Sequence, residues 1–157
     1  MEFINYNANP KKKKTGDCVI RAICTGLKES WEDTYKGMLD VAFDTYQAIS
    51  YKKNFEEYLK RKGYIKQKMP KKDNGNKYTI KEFANELAKS NTTYIISIRN
   101  HLTTIINKDL YDIWDCSKKS VGNYWIIDDR PYSKEELNEM TNKKPVKKRE
   151  RKRRIEL

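Results

Sequence analysis

The hydrophobic period of this chain turns from helical to β near residue 90, and that change limits the folds open to it. From Asp17 to Ala88 the apolar residues recur at helical spacing. Val19, Ile20, Ala22, Ile23 and Leu27 form a first run, with Gly26 near its end. Thr15 or Asp17 can cap its start, which places Cys18 in the first turn. A second helix is expected from Ser30, where Ser30-Trp31-Glu32-Asp33 resembles a capping box with Asp in place of Glu. Trp31, Tyr35, Met38, Leu39, Ala42, Phe43 and Tyr46 repeat along it. Phe55, Tyr58 and Leu59 mark a third, stopped by Gly63, and a short strand is expected near Tyr64 to Lys66. Thr79-Ile80-Lys81-Glu82 is a capping box ahead of a helix carrying Phe83, Leu87 and Ala88.

Beyond residue 90 the period is that of β-structure. Tyr94 to Ile98, His101 to Ile106, Leu110 to Trp114 and Val121 to Ile127 read as four strands joined by short turns. Short turns join antiparallel neighbours, whereas parallel strands need long crossovers. Glu2 to Tyr6 reads as an extended entry strand, and Ser133-Lys134-Glu135-Glu136 caps a last short helix. Helices first and a sheet of about four antiparallel strands second give the α+β class. The length, 157 residues, suits one hydrophobic core. The expected division is a domain over 1–142 and a basic, disordered tail over 143–157.

The net charge of +12 comes from two short segments. Lys11 to Lys14 contribute +4, and residues 143–157 contribute +7, from nine Lys/Arg against Glu150 and Glu156. The rest holds 21 basic and 20 acidic residues and is close to neutral. Such segments can contact nucleic acid phosphates without specificity, through Lys11–Lys14 and the 143–154 tail. The tail has no interleaved aromatics to stack on bases, so sequence-specific reading is not expected. Three cysteines without paired spacing argue against a disulfide framework, and a single histidine argues against structural zinc. No signal-peptide core or membrane-length apolar run is present, so a cytoplasmic protein with reduced thiols is expected, with no membrane partner.

Cys18 and that single histidine, His101, carry the candidate chemistry. A helix N-terminus holds partial positive charge and free N–H groups, which favour a thiolate at Cys18. A histidine at a strand start can serve as base and counter-ion, and a carboxylate one hairpin later can orient it. These are the parts of a thiol-dependent acyl-transfer site. Asn107-Lys108-Asp109 reads as the turn between two strands, and a three-residue turn sets His101 opposite Asp115 on one face. That register pairs Asp112 with Thr104, on the other face, so Asp115 is the expected orienting acid and Asp112 the alternative.

Several stretches carry a family resemblance: NPKKKKTGDCVIRAI, the W-x-x-x-Y helix start, YTIKEFA, and HLTTIINKDLYDIWDCSKKSVGNYW. Together they resemble small papain-like cysteine peptidase homologues common in Firmicute genomes and their phages. The resemblance covers roughly residues 3–127 and is most specific at TGDCVIRA and the H…DIWD hairpin. It implies a papain-like fold with the nucleophile helix packed on the sheet. It also implies a hydrolase of peptide, isopeptide or other amide bonds, phage or mobile-element encoded. By resemblance Cys18 is the nucleophile, His101 the base and acid, and Asp115 the orienting carboxylate, with no metal or organic cofactor. Papain-like enzymes carry a Gln about six residues before the nucleophile to complete the oxyanion hole, and here Lys12 stands there. Asn9 or Asn7, with the Cys18 backbone N–H, is the substitute donor. The alternative function is a non-catalytic papain-like module that binds nucleic acid or a host protein through the basic segments.

The other candidates are structural. Cys24 is expected in the core, Cys116 as an exposed unpaired thiol, and Asp17 as a helix cap paired with Arg21 at i+4. Trp114 and Trp125 are expected to cover the sheet, with at least one packed in the core.

Overall fold

The computed structural model describes residues 1–141, so the expected tail over 143–157 lies outside the described residues. Among the described residues five strands form one mixed sheet, and helices cover it: the chain is α+β. The strands are β1 (Phe3–Asn5), β2 (Thr93–Ile98), β3 (His101–Ile106), β4 (Asp109–Asp112) and β5 (Tyr124–Ile127). Their order is β1-β4-β3-β2-β5. β2 and β3, and β3 and β4, pair antiparallel, as their short connections require, and β5 pairs antiparallel with β2. The expected all-antiparallel, four-stranded sheet needs one correction: β1 adds to β4 in parallel, with Phe3 opposite Leu110 and Asn5 opposite Asp112. A parallel pair needs a long connection, and here the whole helical half of the chain supplies it. The strand expected near Tyr64 to Lys66 is absent, leaving only an isolated bridge from Gln67 to Tyr124.

Helix α1 (Cys18–Leu27) is buried along almost its whole length and lies across β2 and β3. Two contacts fix its distance from the sheet. Thr104 Oγ1 donates to the Ala22 carbonyl at 2.9 Å. A Cβ on Gly26 would stand 2.5 Å from Ile95 Cγ1, so only glycine fits there without displacing that buried side chain. Helix α2 (Trp31–Thr45) starts at Ser30, whose Oγ accepts from the Asp33 N–H at 3.0 Å. Helix α3 (Lys52–Arg61) follows, and Gly63 terminates the segment at φ 94°. With α1 these helices build a core on one side of the sheet around Ile23, Met38, Leu59, Ile95 and Trp125.

The opposite side is covered by the segment after Thr79. Its capping box is complete, but only one α-turn, α4 (Ile80–Glu82), follows before a π-helical turn over Phe83–Leu87. Phe83, Tyr94, Ile96, Ile105 and Leu110 form the second core there. Helix α5 (Lys134–Thr141) buries none of its residues. The repeat read along α2 divides between core and solvent. Met38 and Ala42 are buried, whereas Leu39, Phe43 and Tyr46 are exposed, Tyr46 almost fully. Among the described residues no helix is long and apolar enough to cross a membrane.

Candidate functional site

The site lies where the N-terminus of α1 meets the start of β3 and the end of β4. Asp17 occupies the N-cap position of α1, yet its side chain makes no capping bond. The first-turn N–H groups of α1, beginning with that of Cys18, are left without intrahelical partners, as at any helix start. Cys18 is half-buried, with His101 beside it. Burial opposes its ionisation, but its interactions with His101 and the Leu102 backbone and the charges of His101 and Arg21 outweigh it. The thiol is held below its ordinary pKa.

His101 opens β3, and its ring lies 5.0 Å from that of Trp114. Its Nε2 donates to Asp112 Oδ2 at 2.6 Å, leaving Nδ1 for Cys18. Desolvation favours the neutral imidazole, but Asp112 and Cys18 reverse this and raise His101 to about 9. Burial likewise works against ionised Asp112, and the bonds from His101 and Thr103 more than offset it, lowering its pKa. The three groups therefore favour a thiolate, an imidazolium and a carboxylate in series.

The expected orienting acid, Asp115, needs correction. The β3–β4 turn is Asn107-Lys108, two residues with both φ values positive, at 48° and 66°. Ile106 then pairs with Asp109 and Thr104 with Tyr111, one residue away from the expected register. A one-residue slip moves every side chain to the other face. Asp112 thus comes opposite Thr103, on the side of the strand that His101 shares, and Thr103 Oγ1 donates to Asp112 Oδ2 at 2.6 Å. Asp115 is exposed beyond the strand and accepts from the Ser117 N–H at 3.0 Å.

The Asn9 proposal for the oxyanion hole is likewise corrected. Asn9 is buried, with Nδ2 donating to Asp17 Oδ2 at 3.1 Å and Oδ1 accepting from the Lys11 N–H at 3.0 Å. Its amide organises the loop. Asn7 does the same, accepting from the Asn9 N–H and donating to the Lys13 carbonyl. The donors that remain at the nucleophile are the backbone N–H groups of the first α1 turn.

Arg21 is the site residue whose reach the sequence does not show. Its Nε donates to Asp17 Oδ1 at 2.9 Å, as the i, i+4 spacing suggests. Its Nη1 also donates to Asp112 Oδ1 at 3.3 Å, across 91 residues. All three side chains are buried. Trp31 Nε1 and Asn9 Nδ2 hold the other oxygen of Asp17. A chain of interacting groups therefore runs from buried Asp17, Arg21 and Asp112 to the partly buried His101 and Cys18.

The other thiols differ in kind. Burial pushes both Cys24 and Cys116 up to about 12. Cys116, expected at the surface, is buried because the segment after β4 folds under the sheet, and its Sγ lies 3.8 Å from Asp112 Oδ2. His101, Asp112 and Cys116 offer ligand atoms within 4.8 Å of one another, a spacing that could take a metal ion. Its donor set suits a metal poorly: Asp112 Oδ2 already accepts from His101 and Thr103, and the Cys116 thiol resists the deprotonation that ligation requires.

No family model, curated protein or solved structure matches this chain.

Proposed function

We propose that this chain is a cysteine-dependent hydrolase of the papain-like kind, acting on an amide bond of a peptide or protein. The observation that carries the proposal is His101 held between Cys18 and buried Asp112, with the thiol below and the imidazole above their ordinary pKa values. Perturbed groups that converge beside a cleft are characteristic of nucleophilic sites. A cleft of about 540 Å³ opens beside the pair, lined by Cys18, His101, Ser50, Tyr51, Asn100 and neighbouring residues.

In this reading the Cys18 thiolate attacks the carbonyl carbon, and the developing oxyanion meets N–H groups at the start of α1. The carbon–nitrogen bond then breaks as His101 gives its proton to the departing amine. An acyl thioester on Cys18 remains. Water attacks it, His101 takes the water's proton, and the carboxylic acid leaves as the thiolate is restored. Asp112 orients the ring and supports its charge throughout.

Limiting iodoacetamide at pH 6, followed by peptide mapping, tests the ion pair. Cys18 should be alkylated first, Cys24 and Cys116 should stay unmodified in the folded protein, and His101→Ala should slow the reaction. Alkylation of Cys18 that simply follows the ordinary thiol titration near 8.5 would remove the basis for a hydrolase. The non-catalytic binding module would then be the better reading.

A further inference from the structure

The cleft beside Cys18 does not end at the nucleophile. It shares Lys52, Ser97, Ile98 and Asn100 with a second, larger hollow of about 810 Å³, so the two are one continuous groove. The second hollow passes Trp114, which packs on His101, and is lined by the cations Lys52, Lys77, Arg99 and Lys119. Among the described residues neither lining contains an Asp or Glu. All four cations are exposed, and none is ion-paired to another described residue.

That bias is local. Outside Lys11–Lys14 and residues 143–157 the chain is balanced at 21 basic and 20 acidic residues. The hollow beside α3 shows the usual mixture, with Glu56 and Glu57 among Lys53, Lys60 and Lys66. A concave surface lined by one sign of charge focuses its field and raises the local concentration of oppositely charged ligand. Four like charges held together without counter-ions also leave an attraction that a bound anion would satisfy.

Resting on the hydrolase reading above, we propose that the groove selects its substrate by charge: an acidic polypeptide segment whose Asp and Glu side chains lie along Lys52, Lys77, Arg99 and Lys119 while its backbone crosses Cys18. A polypeptide fits better than a nucleic acid because the groove leads to a thiolate, and a peptide presents an amide carbonyl there.

The full-length Cys18→Ala protein allows binding to be measured without turnover. Fluorescence anisotropy would compare a labelled peptide rich in Glu and Asp, the same peptide with Gln and Asn in their place, and a single-stranded oligonucleotide of equal charge. The acidic peptide should bind at least tenfold more tightly than its neutral counterpart, and more weakly as salt rises. The double charge reversal Lys77→Glu/Lys119→Glu should remove most of that preference, and Lys77→Gln/Lys119→Gln should reduce it. Circular dichroism of each variant identifies any that has unfolded, and the neutral pair then decides. Equal binding of the acidic and neutral peptides overturns the proposal. So does an oligonucleotide that binds more tightly than the peptide and depends on the same lysines. Acidic-peptide binding alongside an ordinary, unreactive Cys18 would keep the groove and dismiss the hydrolase. A reactive Cys18 with no charge preference would do the reverse.

Discussion

Replacing Asp112 by Asn keeps the shape of the side chain and removes the charge that faces His101, Thr103 and Arg21 at once. Without that carboxylate the proton on His101 is held less strongly, and Cys18 loses part of the counter-charge that favours its thiolate. Asp112→Asn should slow Cys18 alkylation at pH 6 on the order of tenfold, the equivalent of one pKa unit. It should also destabilise the fold by about 3 kcal/mol or more, because removing one partner strands the charge of a buried ion pair. Asp115→Asn is the control. Asp115 is exposed and bonded to the Ser117 N–H, so its loss should change stability by less than about 0.5 kcal/mol and leave alkylation unaffected. Both variants are followed by timed alkylation and urea denaturation. Equal effects at the two positions would mean that the hairpin register in solution is not the one described.

At the scale of elements the site depends on how closely α1 approaches the sheet, because Cys18 rides on the helix and His101 on β3. Gly26 sets that approach: its missing side chain admits the fully buried Ile95. Gly26→Ala should cost about 1–3 kcal/mol through overpacking, against the small gain Ala ordinarily brings within a helix. Adding Ile95→Ala should recover part of the loss, so the double variant is more stable than the two single effects added together. Thermal or urea denaturation of all four proteins measures the coupling. Strict additivity would show that α1 does not contact β2 at this point. The short β3–β4 hairpin matters in the same way, since its two-residue turn determines which carboxylate reaches the histidine.

For the whole molecule the ion pair has a consequence for stability against pH. His101 keeps its proton to about 9 in the folded protein, against roughly 6.5 in an unfolded chain. This contributes stability that is fully present below about 6.5 and is lost as pH rises through 9. Cys18 works with the opposite sign: its lowered pKa contributes stability above the unfolded thiol value, lost as pH falls through the native one. Where the two windows overlap, the slopes oppose each other. Cys18→Ala removes one side of the balance. Relative to the wild type, its stability should fall with rising pH across that window, by up to about 1.4 kcal/mol per pH unit. Urea denaturation at several pH values checks this. Parallel profiles for the two proteins would mean that Cys18 and His101 titrate independently.

The α+β class, the caps at Ser30 and Thr79, the placement of Cys18 at a helix start and that of His101 at a strand start were all legible in the sequence. Each is set by neighbours a few residues away, through hydrophobic period, capping chemistry and turn residues. Three other features were decided only by tertiary structure. Asn107-Lys108-Asp109 reads as a three-residue turn, whereas the folded chain turns on Asn107-Lys108 alone, and packing on both faces of the sheet selects the register that brings Asp112 to His101. Arg21 shows its neighbour Asp17 in sequence, but its bond to Asp112 spans 91 residues. Asn9 reads as a free side-chain donor until the buried carboxylate of Asp17 claims it. Local spacing determines which residues stand on an element, while long-range burial and pairing decide which of them meet.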